Sequence, residues 1–197
     1  MSESTNTATS TNSLRSLIGS DDTICFDEFL VHMEAANKPL SLSTIRYLLD
    51  KVTLSNGEVK RLSSFQKENY CRRRLFRSEQ CEILILSWLN GQRSKIHDHL
   101  NSACGVKILL GDATETVFDT ADNGQIYATN STFYKEGSVT VGQDNDIHQI
   151  SNLQSDDLPL VTLHVYSPPL QAFHIYQLDG SAPELLNVAN DSWFYEI

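Results

Sequence analysis

The sequence predicts an all-β domain, closed or sandwich-like in the manner of a jelly roll, preceded by short helices. Two observations lead there. From Tyr70 onward the hydrophobic period is two, in runs rich in β-branched and aromatic residues: CEILILSWL (81–89), GVKILL (105–110), ETVFD (115–119), QIYATNSTFY (125–134), SVTVG (138–142) and LVTLHVY (160–166). Turn signals separate them, at Asn90-Gly91, Gly111-Asp112, Asp122-Asn123-Gly124, Glu136-Gly137 and Pro168-Pro169. Many short strands at even spacing need mutual coverage, which a barrel or sandwich supplies.

The elements follow in order. Residues 1–13 are mostly Ser, Thr, Asn and Ala, offer little to bury, and read as a disordered tail. Leu14, Leu17 and Ile18 have helical spacing and suggest one short helix stopped by Gly19. Phe26, Phe29, Leu30 and Met33 fall at i, i+3, i+4 and i+7, which predicts an amphipathic helix over 22–36. Ile45, Leu48, Leu49 and Val52 repeat the pattern, with Ser41 or Ser43 as N-cap and Gly57 in a turn. No linker or repeat divides the chain, so residues 14–197 are expected to form one domain, with helices over about 14–53 and the β-barrel over about 70–178.

Composition narrows the function. Fifteen Lys and Arg against twenty-five Asp and Glu give a net charge of −10, a poor match to nucleic acid or an anionic membrane. The charge is uneven: residues 108–197 hold thirteen acids and one base, Lys135. No run is apolar enough to span a membrane, and MSESTNTATSTNS lacks the apolar core of a signal peptide. Cys25, Cys71, Cys81 and Cys104 lack close-paired metal spacing and read as reduced thiols, which points to the cytoplasm.

The sharpest feature is His97-Asp98-His99. On a strand, residues i and i+2 share a face with Cα atoms about 6.6–7 Å apart, close enough for both rings to reach one metal. Alone, so short a pattern belongs more often to two core or exposed histidines than to a metal site. The surroundings are more specific. Gly91, five residues, His97-x-His99, four residues, Cys104, six residues and Gly111 resemble the first motif of the cupin family, with Cys104 in place of the usual Glu ligand. Gly137, His148 and Asn152 match the second cupin motif, in which Gln143 replaces a Pro and Asn145 a Gly. Tyr70-x-Arg72, HDHLNSAC (97–104) and LHVYSPP (163–169) add a resemblance to the thiol dioxygenases, and within them to the cysteine dioxygenases, over roughly residues 14–178.

That resemblance implies a cupin β-barrel and a role for each residue. His97, His99 and His148 would hold one Fe(II) per chain; ligand type alone leaves Zn, Cu and Ni open. Without a carboxylate ligand the ion keeps its full charge, which favours a bound thiolate. Arg72 would clamp the substrate carboxylate, with Tyr70 beside it. Tyr166 would present its hydroxyl to substrate or oxygen, oriented by His164 and Thr162. Cys104 would form a thioether with the Tyr166 ring, or else fill space as a small buried hydrophobe.

Strand alternation puts Arg72 and Arg74 on one face, and Arg73 and Arg77 on the other. Arg74, Arg93 and Phe173 depart from the family pattern near the pocket. His32 and His174 read as structural, and Asp98 as a structural hydrogen-bond acceptor turned away from the ligands. The implied activity is oxidation of L-cysteine by O2 to cysteine sulfinic acid, in cysteine catabolism, by a monomer without nucleic-acid or membrane partners. The alternatives are another small thiol such as 3-mercaptopropionate, or a non-catalytic cupin that binds a metal or ligand.

Overall fold

A computed structural model describes residues 22–143 and 146–188. The tail at 1–13, the short helix around Leu14, Leu17 and Ile18, and Asn145 lie outside the described residues.

Among the described residues three helices precede the sheets: α1 (Phe26–Glu34), α2 (Leu42–Lys51) and α3 (Asn56–Leu62). A short parallel pair, β1 (Ile24–Cys25) with β2 (Val52–Thr53), brackets the first two. The expected helix at 22–36 therefore starts late, because Ile24 and Cys25 are drawn into that pair. Ser41 is the N-cap of α2, its Oγ accepting from the Thr44 N–H at 3.2 Å. Gly57 lies inside α3 rather than in a turn. Ser55 and Glu58 form a capping box there, with the Ser55 N–H donating to Glu58 Oε2 at 2.7 Å, and Val59 and Leu62 are buried.

Eleven further strands follow: β3 (Cys71–Arg77), β4 (Glu82–Trp88), β5 (Ile96–His97), β6 (Ala103–Leu110), β7 (Ala113–Thr120), β8 (Ile126–Tyr134), β9 (Val139–Gly142), β10 (Ile147–Ser151), β11 (Leu160–Ser167), β12 (Ala172–Tyr176) and β13 (Glu184–Asn187). They build a five-stranded sheet, β3-β4-β11-β6-β9, and a six-stranded sheet, β13-β12-β5-β10-β7-β8. The expected barrel is thus a flattened one, two facing sheets whose hydrogen bonds do not close into a ring.

Two cores sit on opposite faces of the five-stranded sheet. Between the sheets, Leu84, Leu86, Val106 and Ile108 meet Ala113, Ile150, Phe173 and Ile175. On the outer face, Ile83, Ile85, Leu163 and Val165 pack under α1 and α2. This is why β4 and β11 are buried at every residue and read as continuous apolar runs. Close helix docking needs Gly105: a Cβ there would overlap Ile45 and come within 2.8 Å of Leu49 Cδ1. Beside it, Lys107 Nζ donates to the Leu49 and Val52 carbonyls at 2.8 and 2.7 Å, capping the C-terminus of α2.

A register shift between Arg74 and Phe76 corrects one expectation. The extra residue flips the alternation, so Arg77 joins Arg72 and Arg74 on the inner face, opposite Glu82. Arg77 Nη1 lies 2.8 Å from the fully buried Glu82 carboxylate. Arg73 alone of the four faces outward, where Nη1 donates to the Arg61 and Leu62 carbonyls at the end of α3.

Candidate active site

The space between the sheets holds a cluster of three histidines. His97 on β5 and His148 on β10 are directly opposite in register. His99 lies two residues beyond the end of β5, yet it shares a face with His97 as the i, i+2 spacing expects, with Asp98 between them turned away. A turn follows His99, in which Leu100 and Asn101 have φ of 23° and 63°. One ring nitrogen from each histidine falls within 4.8 Å of the others, and His99 Nε2 is 3.2 Å from His148 Nε2. Two donors bound to one ion at about 2.1 Å and near 90–109° stand ~3.0–3.4 Å apart, so this spacing fits adjacent ligands.

Hydrogen bonds outside the cluster set the tautomers. His97 Nδ1 donates to the Lys95 carbonyl at 2.9 Å, which leaves Nε2 with its lone pair. His148 Nδ1 donates to Glu115 Oε1 at 2.6 Å, with the same result. Burial, then the neighbouring rings and the Arg72 guanidinium, push His97 and His99 well below the ordinary imidazole range, so both are neutral donors. Glu115 is the residue that the motif reading missed. Its signal was an acid at an inward position of β7, between Ala113 and Val117. Burial opposes its ionisation, yet the bond and charge of His148, with bonds from Thr140 and Tyr134, hold its carboxyl below the usual range. A carboxylate behind a ligating histidine fixes the ring and raises its basicity.

The facing sheet supplies the other residues singled out from sequence. Tyr166 and Cys104 are buried cross-strand partners on β11 and β6. The Tyr166 ring stands 5.4 Å from that of His99. Burial, reinforced by the Glu115 charge, pushes the Cys104 thiol up, partly offset by its hydrogen bond with Tyr166. Tyr166 Oη is 3.3 Å from His164 Nδ1, His164 Nε2 is 2.8 Å from Thr162 Oγ1, and Trp88 Nε1 donates to Thr162 Oγ1 at 3.1 Å. Sequence reasoning placed Thr162 in this chain but missed Trp88, which comes from the neighbouring strand. Burial and then Arg72 hold His164 well below its usual pKa.

Arg72 is 3% exposed on the inner face, and Arg74 is half-buried one position further along it. Tyr70 is also buried on this side, stacked on Trp88 with ring centroids 4.1 Å apart. Phe173 stands edge-on to His97 at 6.2 Å, whereas Arg93 is exposed and bridges to Ser151. His32 remains on α1. Asp98 turns outward to His174 and Tyr176.

Residues 30–179 match the family described as Cysteine dioxygenase type I. The chain belongs to that family. Cysteine dioxygenase type 1 from Rattus norvegicus is 26% identical over 151 residues, 75% of each chain; that from Homo sapiens is 24% identical over the same length and shares. The Danio rerio protein of that name is 25% identical over 147 residues, 72% of this chain and 73% of its own. Among solved structures, a conserved protein with a double-stranded β-helix domain from Klebsiella pneumoniae matches with a TM-score of 0.51 at 14% identity. It covers 63% of this chain and 97% of its own, a likeness of fold. The protein is thus a cupin thiol dioxygenase by family, and the family implies a metal. The residues present fit one: three buried imidazole nitrogens converge, and two of them are fixed as lone-pair donors by bonds from the opposite ring atom.

Proposed function

We propose that this protein oxidises free L-cysteine with O2 to cysteine sulfinic acid, RSH + O2 → RSO2H, both oxygen atoms going to sulfur. The observation that carries the reading is the convergence of three buried imidazoles, without a carboxylate among them, on a space that Arg72 and Tyr166 enter from the facing sheet. His97, His99 and His148 hold the metal, one Fe(II) per chain. Bound there, Fe(II) supplies the positive charge that favours a thiolate and the redox chemistry that O2 requires.

The protein's own groups do the rest. Arg72 offers a planar fork of N–H donors to the amino-acid carboxylate in a buried setting, where bidentate pairing is strong. Tyr70, stacked on Trp88, forms the wall beside it. The Trp88 N–H donates to Thr162 Oγ1, which leaves that hydroxyl one proton and one lone pair to share with His164 Nε2. Neutral His164 links that hydroxyl to Tyr166 Oη, 3.3 Å from its Nδ1, and so orients the phenol. Tyr166 presents its hydroxyl to substrate and oxygen.

Cys104, opposite Tyr166, becomes thioether-linked to the ring: the S–H and one ring C–H are lost, and two electrons and two protons pass to O2. The protein acts as a cytoplasmic monomer in cysteine catabolism. No described helix is long and apolar enough to cross a membrane.

Metal analysis with O2 uptake tests the reading. One iron per chain and stoichiometric O2 consumption with cysteine, well above that with cysteamine or 3-mercaptopropionate, are expected. Preference for 3-mercaptopropionate overturns the substrate. Iron binding without O2 uptake from any thiol overturns the enzymatic reading.

A further inference from the structure

The strand that carries the first ligand is thin. β5 has two residues; it pairs with β10 only at His97, and with β12 only at Ile96 and His97. Beyond it the backbone enters the turn at Leu100 and Asn101, with Ser102 N–H donating to the His99 carbonyl at 3.1 Å. Upstream the segment pairs again with β10, where the Ser94 N–H donates to the Ile150 carbonyl at 2.9 Å, but the ladder to β10 ends at His97. What lies between His97 and His99 is Asp98, 4% exposed, whose carboxylate accepts three bonds from β12. Oδ1 accepts the His174 N–H at 2.8 Å. Oδ2 accepts His174 Nδ1 at 2.7 Å and the Tyr176 hydroxyl at 2.9 Å. The Asp98 N–H completes the set by donating to the His174 carbonyl at 3.3 Å.

The two faces of β12 are used differently. His174 and Tyr176 grip Asp98, while Phe173 and Ile175 are buried in the inner core, with Phe173 edge-on to His97 and Ile175 opposite it in register. Whatever holds Asp98 therefore holds both the splay of His97 and His99 and the wall beside them. We propose that Asp98 is a positioning residue for the metal site, with His174 and Tyr176 as its fixed donors. This rests on the three-histidine centre holding the metal.

Co(II) titration of the metal-free protein, followed by its visible spectrum, tests this, with a thermal melt of each metal-free variant alongside. Wild type must first bind one Co(II); if it does not, the metal-site reading fails and the proposal falls with it. Asp98→Ala is expected to weaken Co(II) binding roughly 10- to 100-fold and to alter the spectrum of the bound ion. Asp98→Asn, which keeps an oxygen acceptor for the His174 N–H but sets an NH2 against His174 Nδ1 and the Tyr176 hydroxyl, should recover only part of the affinity. A purely structural Asp98 would lower the melting temperature and leave the affinity and spectrum at wild-type values, and that result overturns the proposal. If Asp98→Ala does not fold, Tyr176→Phe removes one of the three side-chain bonds. A several-fold weaker site is then expected, and an unchanged affinity and spectrum refute the assignment.

Discussion

Glu115 allows the energetics of the site to be worked through. Its carboxylate accepts His148 Nδ1–H at 2.6 Å and Thr140 Oγ1 at 3.1 Å, and the residue is 8% exposed. Glu115→Gln keeps an oxygen for the imidazole but removes the charge. A bond to a charged acceptor contributes about 1.5–3 kcal/mol against about 0.5–1.5 for a neutral one, so the exchange costs about 1–1.5 kcal/mol. Only the part of that cost realised when the ion binds His148 enters metal affinity, which should fall by at most roughly tenfold at about 1.4 kcal/mol per decade. Glu115→Ala strands a buried N–H as well, and the loss should approach about 100-fold. Anaerobic competition against a chromophoric chelator measures both, with circular dichroism to check the fold. The sign of the pH effect follows from the lowered carboxyl pKa. The ionised Glu115 stabilises the folded protein fully above its ordinary value of 4.5, and that contribution is lost as pH falls through the lower folded value. The stability gap between wild type and Glu115→Gln should be constant above that window and close within it. Affinities of both variants within twofold of wild type would show that His148 is not a ligand held by Glu115.

Arg72→Ala should raise KM for cysteine and collapse the cysteine-to-cysteamine ratio of kcat/KM, which a carboxylate clamp can push toward roughly 10⁴; Arg73→Ala, whose side chain caps α3, should change neither. A collapsed ratio in Arg74→Ala with an intact one in Arg72→Ala would move the clamp to Arg74. Peptide mapping after many aerobic turnovers should find Cys104 and Tyr166 joined with loss of two hydrogens, and only unmodified peptides would exclude the thioether. Gly105→Ala should cost about 1–3 kcal/mol in denaturant unfolding, because the new methyl overlaps Ile45 and crowds Leu49 under α2. A neutral result would mean that α2 shifts freely on the sheet.

Much of this was legible in the chain itself. Runs rich in β-branched and aromatic residues between turn signals mark β4, β6, β7, β8, β9 and β11 to within a few residues, because most of these strands turn an apolar face to one of the two cores. Helical spacing marked α1 and α2, and the two spaced motifs drew attention to His97, His99 and His148. Other features were decided only by tertiary contact. β5, β10, β12 and β13 are too short or too polar to announce themselves, and exist because neighbouring strands complete their hydrogen bonds. The bulge that turns Arg77 inward has no local signature; it answers the buried carboxylate of Glu82 across the pair. Glu115 and Trp88 gain their roles from distant segments, 33 residues from His148 and 74 from Thr162. A sequence specifies which side chains are apolar, ionisable or able to ligate a metal, since those are properties of single residues and their spacing. Which carboxylate stands behind which histidine depends on strand order and register, because partners remote in sequence meet only once the sheets face each other.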